Sequence, residues 1–280
     1  MAATTTKGSR KGTMMGGLPD WGLLLGSVLV YLFLYAPIAV LIFFSFNSTR
    51  STQVWTGFSL EWYGQLLSDP TILQALRTSL TVGVIATFIA TVIGTMTALA
   101  LSRHSFRGRA VADTAIYAAT VMPEIVVGVS LLVFFVSVFV PMGIQLGITT
   151  IVIAHVAFTI SFVTIVVRAR LSGMDRSVEE AAQDLGASPV QTFFRVTLPL
   201  ILPGVMAGAL LAFTLSFDDF VITFFISGVG SSTLPLKIYS MIKFGVSPVI
   251  NALSTVVLVA TLFLIFGGSR LFLRKENAQE

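Results

Sequence analysis

Residues 125–167 read IVVGVSLLVFFVSVFVPMGIQLGITTIVIAHVAFTISFVTIVV, 43 consecutive positions without one Asp, Glu, Lys or Arg. A helix needs about 20 mostly apolar residues to cross a bilayer. The run therefore holds two crossings, and Pro141-Met142-Gly143 stands between them where a turn is needed. Residues 21–49, 78–102, 196–217, 220–236 and 244–269 are likewise free of charge. The whole 280-residue chain is 55% hydrophobic and 11% charged, with a mean hydropathy of +0.92. A soluble domain carries about 25% charged residues, so this chain cannot cover a water-facing surface of its size. The expected fold class is all-α: a polytopic membrane protein with six transmembrane helices. Because the runs are continuously apolar rather than alternating in ten-residue units, an outer-membrane barrel is excluded.

The six spans are expected near 21–46, 78–102, 112–140, 148–167, from Pro199 onward, and from Val249 to about Phe272. A polar tail, 1–20, precedes them, and residues 274–280 follow the six-helix domain at 21–273. The first span is longer than a signal-peptide core and has no A-x-A-like cleavage site, so it reads as a retained anchor. Of the 17 Lys and Arg residues, 13 fall at the N-terminus, near 103–109, within 168–195 and at 270–275. That bias puts those segments and both termini in the cytoplasm. It also accounts for the pI near 9.6 through topology, with no nucleic-acid partner. The absence of cysteine excludes disulfides, thiol catalysis and thiolate metal sites.

Two soluble segments invite structure. The outer one contains Phe58-Ser-Leu-Glu-Trp-Tyr63, whose aromatics suit an interfacial helix or a plain aromatic belt. The inner one, 168–199, holds two short helices. Ser177 is the expected N-cap of the first, with Glu180 completing a capping box, and Gly186 supplies the left-handed position that ends it. Ser188-Pro189 opens the second, and Leu198-Pro199 is expected to turn the chain into the fifth span. A helix–Gly–helix with a small Ala181-Ala182 face suits docking, the alternative being a generic amphipathic loop.

Glu180-Ala181-Ala182, three residues, Gly186, nine residues, Val196-x-Leu198-Pro199 resembles the E-A-A-x3-G-x9-I-x-L-P loop of ATP-binding-cassette importer permeases. Val196 stands where the family pattern has Ile, a one-methylene difference. Phe58–Tyr63, Met122-Pro-Glu-Ile-Val126, Phe217-Asp-Asp-Phe-Val-Ile-Thr-Phe-Phe225 and Leu234-Pro-Leu-Lys-Ile-Tyr239 look like the spermidine/putrescine branch. The resemblance runs from about Trp21 to Phe272 and implies a type I importer bundle. It further implies a loop (Ser177, Glu179, Glu180, Ala181, Ala182, Gly186, Leu198, Pro199) that sits in a cleft of an ATPase subunit. The implied partners are a second permease subunit, two ATP-binding-cassette ATPase subunits and an extracytoplasmic polyamine-binding protein, in a bacterial inner membrane.

The chain lacks a G-x-x-x-x-G-K-[ST] phosphate loop, so ATP and Mg are expected on partner subunits and no cofactor or catalytic residue on this one. Acids inside spans cost about 2.5–3.5 kcal/mol each on insertion scales and default to functional candidates. Asp113, Tyr117, Thr120, Glu124 and Gly128 form one stripe at helical spacing on the third span. Gly204, Gly208, Ala212, Ser216, Asp219 and Thr223 form another on the fifth. Glu124 and Asp219 are thus expected to face a substrate path, with Tyr117, Thr120, Ser216 and Thr223 beside them. Asp218, about 100° round the helix, is a further candidate for the path, the alternative being that it caps a neighbour or pairs within the bundle. His155, near Phe158, Thr159 and Phe162, reads as a packing residue. The stripe of Ser79, Gly83, Thr87, Thr91 and Thr95 reads as small-residue packing. Acids without a bundle cation point to a cationic solute, so the expected function is the permease subunit of an ATP-driven polyamine importer. The alternatives are import of another small cationic or amine-bearing solute, or an ion-gradient transporter or channel in which Glu124 and Asp219 carry protons.

Overall fold

The computed structural model describes residues 20–50, 54–243, 245 and 247–276, with side chains to residue 263. Lys7, Arg10 and Lys11, and the side chains of Arg270, Arg274 and Lys275, lie outside the described residues. A helix occupies each of the six expected runs. Four are each long and apolar enough to cross a membrane: α1 (Asp20–Ser45), α3 (Pro70–Arg103), α6 (Ile148–Ser172) and the continuous run Pro189–Asp218. The bent pair α4 (Arg109–Val121) and α5 (Glu124–Phe134) is together apolar enough for a fifth, and the sixth run carries α12 (Pro248–Glu276). Short helices α2 (Glu61–Ser68), α7 (Ser177–Asp184), α10 (Val221–Ile226) and α11 (Leu234–Lys243) connect them.

Proline chemistry explains where the spans depart from expectation. The third span is not one helix. Pro123 has no N–H to give, and it pushes Met122 to an extended conformation (φ −64°, ψ 135°). The chain therefore bends by 111° between α4 and α5, so Asp113, Tyr117 and Thr120 do not share a helical stripe with Glu124 and Gly128. In contrast, Leu198-Pro199 does not turn the chain. Pro189–Thr192 (α8) passes through a π-helical turn, Phe193–Thr197, directly into α9 (Leu198–Asp218). The wider turn lets Leu198 N–H reach the Phe193 carbonyl, relieving the contact that the Pro199 ring would make in a regular helix. Similarly, α3 begins at Pro70 rather than near 78, because Asp69 caps it, accepting from Thr71 and Ile72 N–H, with Pro70 at the first position.

Three helices, α3, α6 and α9, form the centre. Lipid supplies no hydrophobic drive between helices, so close backbone approach is what holds them. Val163 of α6 is the meeting point: a Cβ on Gly94 of α3 would lie 2.8 Å from its side chain, and one on Gly208 of α9 would lie 3.4 Å away. Buried Ala90, Ala98 and Ala212 continue this narrow seam. Ser79 and Gly83 lie in the buried face of α3 as expected of packing residues. By contrast α1 packs on α12 and leaves most of its apolar length exposed. The outer segment is less of a surface helix than its aromatics suggest. Trp62 is buried and its indole N–H donates to the Asn47 carbonyl, while Tyr63 and Ser45 share a 2.7 Å hydroxyl bond.

Candidate coupling and translocation site

The 168–199 segment is built by local rules, one residue out of the expected register. Ser177 is the first helical residue of α7, not its cap, and it forms no capping box with Glu180; Arg176 holds the cap position, and the Asp175 carboxylate before it accepts from Ser177 N–H at 2.9 Å. Those bonds to the Ser177 N–H and hydroxyl hold the Asp175 carboxyl below its ordinary pKa. At the other end Gly186 has φ +88°, a conformation open to glycine and strained for other residues. Its N–H bonds Gln183 O at 2.9 Å and the Ala187 N–H bonds Ala182 O at 3.1 Å, the two bonds of a Schellman cap. Ser188 and Gln191 then form a reciprocal capping box that starts α8.

Glu179 anchors this loop to the bundle. Its carboxylate pairs with Arg103, at the end of α3, at 3.2 Å and accepts from Thr197 Oγ1, in the π-helical turn, at 2.8 Å. One side chain thus joins α7 to two spans. Glu180 and Ala181 face outward beside Val178, Leu185, Val190 and Phe194, all exposed, Leu185 at 89%. Sequence reading singled out Ala181-Ala182 and Gly186 but not Leu185; the signal was there, a lone Leu in a polar helix beside the left-handed glycine.

The acids of the bundle divide differently from expectation. Asp113, near the start of α4, is held by Arg168 near the end of α6, with Arg109 at 4.0 Å. Tyr117 is exposed, and the Thr120 hydroxyl donates to the Tyr117 carbonyl at 2.8 Å. Glu124 lies exposed in the first turn of α5, where the helix dipole favours a carboxylate. Gly128, one turn on, is buried against Phe225 of α10.

Asp219 does not sit on a continuous helix. Its side chain is 4% exposed and works as the cap of α10: Oδ1 accepts from Ile222 N–H at 3.2 Å, and Oδ2 from Thr223 N–H at 2.8 Å and Thr223 Oγ1 at 2.7 Å. That self-capping ends α9 at Asp218 and starts a new helix. His155 of α6 completes the group, with Nε2 at 3.2 Å from Asp219 Oδ2 and Nδ1 at 2.7 Å from Ser216 Oγ. Nε2–H donates to the Asp219 carboxylate, and Nδ1 shares a hydrogen bond with the Ser216 hydroxyl. His155 is therefore a buried polar clasp between α6 and the α9–α10 break, not a packing residue among phenylalanines. Asp218, expected inside the bundle, is exposed instead and has no hydrogen bond or ion pair among the described residues.

The model of the family "Binding-protein-dependent transport system inner membrane component" matches residues 90–269, a span covering both the Glu179 loop and the α9–α10 break. The chain belongs to this family. Among relatives, the putrescine transport system permease protein PotI of Escherichia coli strain K12 is 45% identical over 236 residues, 83% of this chain and 84% of that one. The spermidine/putrescine transport system permease protein PotC of Haemophilus influenzae (strain ATCC 51907 / DSM 11121 / KW20 / Rd) is 43% identical over 248 residues, 89% and 95% of the two chains. In fold, the permease matches a crystal structure of a bacterial ABC transporter that imports alginate, with a TM-score of 0.70 over 95% of this chain and 99% of that chain at 18% identity. An inner-membrane component of a transport system is a multi-pass, non-catalytic subunit, and the helical architecture described above has that form.

Proposed function

We propose that this permease is one of two membrane subunits of an ATP-driven importer of polyamines of the spermidine/putrescine class. The observation that carries the reading is the near-full-length similarity to permeases named for putrescine and spermidine. The distribution of charge within the bundle agrees with it. Glu124 and Asp218 are exposed there without a salt-bridge partner among the described residues, a pattern suited to a cation and hostile to an anion. The second permease subunit completes the pathway, two ATPase subunits bind ATP and Mg, and an extracytoplasmic binding protein delivers the polyamine.

In mechanism, the face carrying Ser177, Glu180, Ala181, Ala182, Leu185 and Gly186 docks on an ATPase subunit at the cytoplasmic side, where both termini lie. Closure of the ATPases pulls on this loop. Through Glu179 the pull reaches α3 and the π-helical turn, and through Leu198 and Pro199 it enters α9 directly. Along α9 it arrives at Ser216, Asp219 and Thr223, which hold the α9–α10 break, and so at the exposed Asp218. Glu124 and Asp218 then border the path, with Tyr117 and Thr120 on the α4 side. ATP-dependent uptake of labelled putrescine or spermidine by proteoliposomes holding both permeases and the ATPases, supplied with loaded binding protein, tests this. Uptake that needs all four components supports the proposal; a complex that moves no polyamine refutes it.

A further inference from the structure

The turn that joins α3 to α4 concentrates positive charge at the edge of an apolar face. Arg103, His104, Arg107 and Arg109 fall within 103–109, and no Asp or Glu occurs from 70 to 112. Arg103 is engaged by Glu179. Arg107 is exposed, with no hydrogen bond or ion pair among the described residues. Arg109 reaches only Asp113, with its Nε 4.0 Å away, and that carboxylate is already held by Arg168. Arg107 and Arg109 are therefore surplus cations, and Phe106 beside them is 46% exposed. The helix they open, α4, is also unusually bare, because it buries none of its residues. Its half-buried side chains Ala112, Asp113, Ile116 and Thr120 share one face, which the Asp113–Arg168 pair turns toward α6. Ala110, Val111, Thr114 and Ala115 lie on the opposite face and line an open groove of about 390 Å³. The Thr114 hydroxyl donates to the Ala110 carbonyl at 2.9 Å, which leaves the groove apolar. It begins at the residue after Arg109. On a membrane helix such a groove meets an acyl chain or another helix, and charge decides between them. Packing a helix there would leave two guanidinium groups unanswered at its end, whereas an anionic headgroup answers both.

We propose that this face of α4 binds an anionic phospholipid, in the leaflet that the Lys and Arg bias makes cytoplasmic. The phosphate sits at Arg107 and Arg109, and one acyl chain runs along the groove from Ala110 to Ala115. Guanidinium groups match phosphate oxygens in a fork geometry. A zwitterionic lipid offers the same phosphate but adds an ammonium group that the arginines repel, so selection is by net charge. The lipid tethers α4 from outside as Arg168 does from inside. This site is independent of which solute the permease carries.

The test places a photoreactive benzophenone side chain at Val111, which is 73% exposed, in the complete complex. The bilayer holds equal amounts of phosphatidylglycerol and phosphatidylcholine, and lipid captured on illumination is identified by mass spectrometry. With both arginines present, phosphatidylglycerol is expected over phosphatidylcholine by about tenfold, and Arg107→Gln with Arg109→Gln should bring the ratio within about twofold of unity. Arg107→Lys with Arg109→Lys should keep most of the preference, and raised salt should weaken it. Arg107→Gln alone breaks no contact in the structure, so its expected drop of about threefold reads the headgroup and not folding. Equal capture of the two lipids by the unsubstituted arginines overturns the site, as does a preference that ignores their replacement. Crosslinking to the second permease or to an ATPase subunit in place of lipid also overturns it and makes the face a subunit contact.

Discussion

Asp219→Asn is the substitution that separates a path residue from a structural one. Asp219 accepts from Ile222 N–H at one oxygen, and from Thr223 N–H, Thr223 Oγ1 and His155 Nε2 at the other. An asparagine has one oxygen for these four donors. Placed toward Thr223 and His155, it turns its NH2 onto the Ile222 N–H, so a buried donor faces a donor. Leaving such a group unpaired costs about 1–3 kcal/mol, and losing the charge-assisted bonds at Thr223 adds about 1 kcal/mol. The expected sum of about 2–4 kcal/mol falls on folding of the α9–α10 break, not on a step of transport. The mutant should therefore assemble poorly and its purified complex should unfold at lower temperature. The complexes that do form should transport near the normal rate. His155→Gln should lower stability too, and the double mutant should cost less than the sum, because both remove the same clasp. Asp218→Asn should behave oppositely, with normal assembly and impaired uptake. The assays are membrane-fraction quantification, thermal unfolding of the purified complex, and uptake per complex. If Asp219→Asn assembles and melts like wild type while uptake collapses, the capping account is wrong and the carboxylate belongs to the path.

Gly186→Val meets no neighbouring atom within 4 Å, so its cost is the backbone strain at φ +88°, about 1 kcal/mol or more. Transport and stimulated ATPase activity should drop while membrane insertion is unchanged, and normal uptake would contradict a coupling role for the loop. Glu179→Gln removes the charge opposite Arg103 and weakens the tie to Thr197, loosening the loop by about 1–2 kcal/mol; stimulated ATPase activity should fall severalfold, with the amount of complex little changed. Asp69 is held below its ordinary pKa, first by the Thr71 hydroxyl, then by the Thr71 and Ile72 N–H groups and Lys237, against a burial penalty. Such a depressed group stabilises the fold above the unfolded carboxyl value of about 3.9, and that support is lost as pH falls through its folded value. Thermal stability should therefore be flat in this respect from pH 5 to 8, and Asp69→Asn should shrink the loss seen below pH 4. Lengthening Gly94 to Leu should abolish assembly, because even a Cβ there lies 2.8 Å from Val163; detectable wild-type levels of complex would dismiss the seam.

The linear chain determined its solvent and its partner loop by itself. Charge-free runs of spanning length need no tertiary information, because each helix satisfies its backbone internally and lipid accepts any apolar face. The loop around Gly186 was legible for a similar reason: caps, left-handed glycines and proline at a first position act over a few residues. Much of what the sequence placed wrongly involves breaks in helices. A stripe at helical spacing assumes an unbroken helix, and Pro123 and the self-capping Asp219 each interrupt one, so Glu124 left its stripe, and Asp219 is buried while Asp218 is exposed. Proline was visible in the sequence, but whether it bends a span by 111°, widens a turn at Phe193–Thr197 or merely starts a helix depends on which neighbours take up the freed carbonyl. His155 shows the limit most plainly. Its three partners, Ser216, Asp219 and Thr223, lie 61 to 68 residues away in the chain, and only the packing of α6 against α9 and α10 brings them within hydrogen-bond reach.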